Sequence, residues 1–221
     1  MKNRKFRRFT CVILAAACII AGAAAEVPAQ PADALDRLSE ANTAYLQTND
    51  DAELRQELAE NGQHPYAVII TCSDSRVVPE RVFNAGFGEI FTIRTAGNVV
   101  SAFEIGSAEY GVEHLGAPLI VVMGHTHCGA VTAALEAEPG NTADDSIADI
   151  VDEILPSVAE AEAEGADEAT LLDEAILNNV SHSIEKLRTS EILRAYEAEG
   201  KLRIVGAIYN IETGEVLFLD H

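Results

Sequence analysis

Two short polar motifs, each directly after an apolar run, constrain this chain more than any other feature. Cys72-Ser73-Asp74-Ser75-Arg76 follows the run 66–71, and Gly124-His125-Thr126-His127-Cys128-Gly129 follows the run 119–123. Short apolar runs bounded by turn-forming residues read as strands. A third run spans 89–94, and a helical stretch at 102–115 separates it from the run at 119. Strands alternating with helices predict a parallel sheet covered by helices. In open parallel sheets, sites form where the chain leaves the carboxyl ends of strands, so the two motifs are expected to meet.

The rest of the chain fits that frame. Residues 33–60 are polar and helical in pattern, with Leu35, Leu38, Tyr45, Leu54 and Leu58 as apolar points, and Asn61-Gly62 ends them. Residues 138–170 are acidic, Ala-rich and weakly patterned, which predicts a loop and a solvated helix. Helical periodicity returns at 171–187 and 192–196. A strand at 202–209, a turn at Glu212-Thr213-Gly214 and a strand at 216–219 follow. The expected architecture is a single α/β domain over 33–221, with a mainly parallel central sheet, flanking helices and an N-terminal helical arm.

The first 25 residues read as an export signal. Lys2, Arg4, Lys5, Arg7 and Arg8 precede an apolar run at 9–20, and Ala21-Gly22-Ala23-Ala24-Ala25 offers small residues for cleavage. The apolar run is short for a membrane span. The mature protein is expected to be periplasmic or secreted, with no stable membrane insertion and a short linker at 26–32. Removing the signal leaves 10 Lys+Arg against 36 Asp+Glu, a net charge near −26. Such a chain repels nucleic acid and anionic membrane surfaces. Cys11 and Cys18 leave with the signal, so Cys72 and Cys128 are the mature protein's cysteines.

Thiolates and imidazole suit zinc, which prefers tetrahedral N/S ligation. Cys72, His125 and Cys128 supply three ligands and leave a fourth position for water or a carboxylate, the arrangement of a catalytic site. Cys72 alone would read as a small buried residue at a strand end, and His125 alone as a core histidine. Together, with Asp74 and Arg76 at fixed offsets, they read as a metal site. His127 sits between ligands, but zinc already has its three. His64, His114, His182 and His221 belong to no constellation and read as structural or surface groups.

These two motifs, in this order and roughly fifty residues apart, resemble those of the β-class carbonic anhydrases. Gly88-Glu89-Ile90-Phe91, Arg94-Thr95-Ala96-Gly97-Asn98, Glu109-Tyr110-Gly111-Val112 and Gly206-Ala207-Ile208-Tyr209 are similar to further family segments. The resemblance implies one zinc per chain on Cys72, His125 and Cys128. It implies reversible hydration of carbon dioxide to bicarbonate and a proton by zinc-bound hydroxide. Asp74 would accept a hydrogen bond from that hydroxide, and Arg76 would keep Asp74 ionised and off the metal. Gln63, nine residues before Cys72, lies where plant-type members bind bicarbonate through a glutamine. Phe91 and Tyr110 match residues lining the carbon dioxide pocket, and the Gly129 N–H lies where substrate oxygen is contacted. With Gln63 present and no Trp, the chain is similar to the plant-type subgroup with open zinc.

The resemblance also implies a homodimer or larger assembly, with residues 33–60 embracing the partner and the active site near the interface. Two thiolates cancel the zinc's formal charge, so the working range is expected on the alkaline side. Relatives on this fold that hydrolyse carbonyl sulfide or carbon disulfide share the metal ligands. A non-catalytic zinc module would not need the Asp74–Arg76 pair, and a redox dithiol would be expected to show a C-x-x-C pair that this chain lacks.

Overall fold

The computed structural model describes residues 30–48, 51–137 and 146–219. The expected signal, and most of the linker after it, lie outside the described residues. Helix α1 (Pro31–Thr48) buries none of its residues and belongs to a different compact unit from the chain that begins at Asp51. The predicted helical arm at 33–60 is thus two helices, α1 and α2 (Ala52–Asn61). Helix α2 ends at Gly62, whose N–H bonds to the Leu58 carbonyl at 2.9 Å.

From Asp51 onward the chain is built on a five-stranded sheet: β1 (Ala67–Cys72), β2 (Ile90–Thr95), β3 (Leu119–His125), β4 (Arg203–Tyr209) and β5 (Val216–Leu219). The spatial order is β2-β1-β3-β4-β5. Strands β1 to β4 run parallel, and β5 pairs antiparallel with β4 at the edge. Every residue of β1 is buried, because both faces of the sheet are covered; this is why the run lacks polar alternation. Successive side chains leave opposite faces. Val68, Ile70, Ile120, Val122 and Ile204 pack with Val180, Ile184 and Leu187 on one side. Ile69, Val121, Met123, Val205 and Ala207 pack with Val77 and Phe83 on the other.

The helices from α3 onward are α3 (Pro79–Val82), α4 (Ala102–Glu109), α5 (Gly129–Leu135), α6 (Ser146–Ala163), α7 (Leu171–Leu187) and α8 (Glu191–Ala198). Ser101 caps α4 in a reciprocal pair with Glu104. The predicted helix at 102–115 is α-helical only to Glu109, and its last turn, Tyr110–His114, is π-helical. There a Cβ on Gly111 would stand 2.6 Å from Val68 Cγ2, so only glycine lets this turn lie against β1. Helix α6 corrects the expectation of a solvated helix within 138–170. It buries Ile154, Ser157, Val158 and Ala161, an i, i+3, i+4, i+7 stripe that small residues and flanking acids conceal in the sequence. No described helix is long and apolar enough to cross a membrane.

Candidate metal centre

The carboxyl ends of β1 and β3 lie side by side, since Thr71 pairs with Met123 and its hydroxyl donates to the Met123 carbonyl at 2.8 Å. The next residue of β1 is Cys72, and β3 ends two residues later at His125. The chain then turns through Thr126 and His127, the latter at φ 57, and Cys128 caps the start of α5. Bonds from the Thr126 N–H to the Tyr209 carbonyl (3.0 Å) and from the Ile211 N–H to the Thr126 hydroxyl (3.1 Å) anchor this turn to the end of β4. The result brings the candidate ligand atoms of Cys72, His125 and Cys128 within 4.8 Å of one another, all on buried residues.

The hydrogen bonding shows what this cluster is shaped for. His125 Nδ1 lies 2.9 Å from the Thr126 carbonyl, an acceptor, so Nδ1 carries the proton. His125 Nε2 is buried and has no hydrogen-bond partner. An unpaired buried nitrogen is costly; clustered with two cysteine sulfurs, it is a candidate metal ligand. The Gly97 N–H donates to Cys72 Sγ at 3.3 Å. Two Cys sulfurs and one neutral imidazole nitrogen are the donor set of a tetrahedral zinc site with one position open.

Electrostatics point the same way. The hydrogen bond from Cys128 pulls the Cys72 thiol down to about 4 against the effect of burial. That same bond, together with burial, pushes Cys128 far up. Burial opposes charge on the His125 imidazole, yet the nearby Cys72 sulfur and the Thr126 carbonyl raise its pKa overall. Groups that compete this closely for a proton offer the same lone pairs to a cation.

Asp74 and Arg76 flank the cluster. Arg76 Nε donates to Asp74 Oδ1 at 3.0 Å, its Nη2 to Oδ2 at 2.7 Å, and its backbone N–H to Oδ1 at 2.9 Å. The Arg76 side chain holds the Asp74 carboxyl down at about 2, against a smaller opposing effect of burial. Arg76 Nη2 also reaches the His127 carbonyl at 3.4 Å, joining the two motifs. Gly129 opens α5 on an uncrowded side, where an added Cβ would meet nothing within 4 Å. The His127 ring is mostly exposed and faces Glu212 at 3.7 Å, away from any ligand role.

Arg94 gained no role from sequence. Its Nε donates to the Cys72 carbonyl at 3.0 Å and its Nη2 to the Asp74 carbonyl at 2.7 Å, fixing the backbone of the first motif. Its place in β2, one position before the partner of Cys72, was a signal that it sits beside the site.

Gln63, Phe91 and Tyr110 lie elsewhere. Gln63 precedes the amino end of β1, whereas Cys72 closes the carboxyl end; at about 3.3 Å per residue the strand sets its ends roughly 17 Å apart. Phe91 pairs with Val68 near the same amino end, and its ring is 6.1 Å from that of Tyr110. Gln63 and Tyr110 line one surface hollow with His64 and His114. Within one chain these three residues stand apart from the metal centre.

Residues 67–216 match the family model described as carbonic anhydrase. Carbonic anhydrase 2 of Mycobacterium tuberculosis is 40% identical over 162 residues, covering 72% of this chain and 77% of the relative. The solved structure of the β-carbonic anhydrase CcaA superposes with a TM-score of 0.75 at 29% identity, covering 85% of this chain and 88% of the other. A tetrameric β-carbonic anhydrase from the ascomycete Sordaria macrospora superposes with a TM-score of 0.71 at 25% identity, covering 86% and 96%.

Proposed function

The chain belongs to the β-class carbonic anhydrase family and hydrates carbon dioxide with zinc as cofactor; on that premise we propose that Cys72, His125 and Cys128 hold the zinc and that Asp74 and Arg76 serve it. The observation that carries this assignment is the buried, unpartnered His125 Nε2 clustered with two thiols. When bound, zinc lowers the pKa of water toward about 7 and so makes a nucleophile available near neutrality.

The chain's own residues do the rest. Three donations from Arg76 fix the Asp74 carboxylate and keep it ionised. A carboxylate held that way accepts a hydrogen bond from the attacking water and orients its lone pair toward the carbon of carbon dioxide. With Oδ1 and Oδ2 both gripped, Asp74 is also kept from turning onto the metal. The Gly129 N–H, in the first turn of α5, would meet the oxygen that gains charge as bicarbonate forms.

Gln63, Phe91 and Tyr110 join this site across an interface between two copies of the chain. Their position at the other end of the sheet supports that reading, because one copy leaves them about a strand's length from the metal. A homodimer, or a larger assembly of dimers, would then supply the polar and apolar lining of the substrate pocket in trans. The basic, apolar, then small-residue pattern of residues 1–25 supports export to the periplasm or medium.

Stopped-flow carbon dioxide hydration by the chain from residue 26, with zinc quantified on the same sample, tests the assignment. About one zinc per chain is expected, with both zinc and rate lost in Cys72→Ser. Full activity in Cys72→Ser would overturn it.

A further inference from the structure

The Gly97 N–H that donates to Cys72 Sγ belongs to a turn held from behind. The 3-10 turn Ala96–Asn98 contains two residues with positive φ, Gly97 at 67 and Asn98 at 48. Asn98 is 2% exposed and its Nδ2 has no partner, so the turn carries both backbone strain and an unsatisfied buried amide. Both are costly unless the surroundings hold them in place. Something must over-determine this conformation.

Two buried side chains on α7 do so. Asn179 Nδ2 donates to the Gly97 carbonyl at 2.7 Å, and Ser183 Oγ donates to the Asn98 carbonyl at 3.0 Å. They stand four positions apart, on one face of the helix, and reach across more than eighty residues of sequence. The Thr95 hydroxyl closes the turn on the Val99 carbonyl at 2.7 Å. Neither of these two bonds is made to a candidate ligand atom. Their partners are the carbonyls of a segment whose N–H faces the Cys72 sulfur.

We propose that Asn179 and Ser183 are positioning residues which, by gripping the Gly97 and Asn98 carbonyls, hold the Gly97 N–H on Cys72 Sγ and so limit how much charge that thiolate donates to the metal. The inference rests on Cys72 being a zinc ligand. An N–H directed at a thiolate draws density toward itself, and hydrogen bonding around a ligand sulfur tunes the metal it binds. In a site with two thiolates this leaves the zinc a stronger Lewis acid than its ligand set alone would make it.

The test uses the cobalt(II)-substituted full chain, whose sulfur-to-cobalt charge-transfer absorption reads thiolate donation directly. Asn179→Ala is expected to move that band to lower energy, as the thiolate recovers the charge that the Gly97 N–H had drawn off. Ser183→Ala, a smaller change that keeps the Asn179 bond, is expected to move the band the same way by less, and Ser183→Thr to restore it. Asn178→Ala removes a side chain that bonds α6 at the Ser157 carbonyl instead, and is expected to leave the band in place. If Ser183→Ala and any folded Asn179→Ala keep the parent band, the proposal falls. If the bands move equally in Asn178→Ala, general loosening of α7 explains them and the proposal also falls. A parent protein with no sulfur-to-cobalt band would instead overturn the assignment of Cys72 as a ligand.

Discussion

Arg76 grips Asp74 at both carboxylate oxygens, Nε to Oδ1 at 3.0 Å and Nη2 to Oδ2 at 2.7 Å, from only two residues away. Backbone geometry makes so short a bidentate pair possible: the Arg76 N–H also bonds Oδ1, closing a turn that points both side chains the same way. A planar fork matched to a carboxylate is a task lysine cannot perform.

That pair sets the first expectation. Asp74 lies well below its ordinary value because of Arg76, so it stays ionised as pH falls and loses its charge only near pH 2. The stability it contributes is present above its unfolded value near 3.8 and is lost as pH falls through about 2. Asp74 therefore does not set the acid limb of the hydration rate. Asp74→Asn is expected to lower kcat by about 100-fold or more with zinc retained. Arg76→Lys is expected to lose part of that rate and to move the loss of ionised Asp74 to higher pH, as followed by carboxyl carbon chemical shift.

Metal loading should depend on pH in a direction the thiols dictate. Cys72 is already pulled down to about 4, but Cys128 is pushed up and must give its proton to the solvent when a cation enters. Zinc binding is thus expected to release protons, and apparent affinity to fall as pH is lowered from 8 to 6. Chelator competition across that range, with proton release read in a weakly buffered sample, checks the sign. Affinity that rises on acidification would contradict it.

Gly97 has no room for a side chain. A Cβ there would lie 2.7 Å from Ile154 Cδ1 and 3.1 Å from Ala130 Cβ, at φ 67. Gly97→Ala is expected to cost about 2–4 kcal/mol, from the left-handed backbone and from overpacking together. Adding Ile154→Val removes the nearest atom and should recover part of that loss. Denaturant unfolding of the zinc-loaded single and double variants measures both; equal losses would place the cost wholly in the backbone.

Subunit mixing tests whether Gln63 works across an interface. Cys72→Ser and Gln63→Ala each impair both sites of their own dimers. In a mixed dimer the Gln63→Ala chain keeps its metal and receives Gln63 from its partner, so one site is whole. Random re-association is expected to restore about a quarter of parental activity, since half the dimers are mixed and each holds one intact site of two. Activity no higher than the mean of the two variants would place Gln63 outside a shared site.

The helical arm, the strands and the first metal motif differ in how openly the sequence displayed them. Strands β1 and β3 were readable because burial on both faces demands unbroken apolar runs, and because turn-forming residues bound them. The short helices α3 and α5 have four and seven residues, too few for a helical period to emerge. Helix α6 was misread as solvated because half its buried stripe is Ala and Ser, which carry no strong hydrophobic signal.

By itself the sequence singled out Cys72, His125 and Cys128 as candidate metal ligands, because cysteine, histidine and an aspartate–arginine pair at strand ends suit that chemistry, and the fold brings the three together. It did not reveal that Arg94 braces the first motif, that α7 grips the Ala96–Asn98 turn, or that Gln63, Phe91 and Tyr110 lie at the far end of the sheet. Those relationships depend on strand register and on contacts between segments more than eighty residues apart. Local periodicity records which face of an element is buried; only the folded chain decides which neighbour buries it.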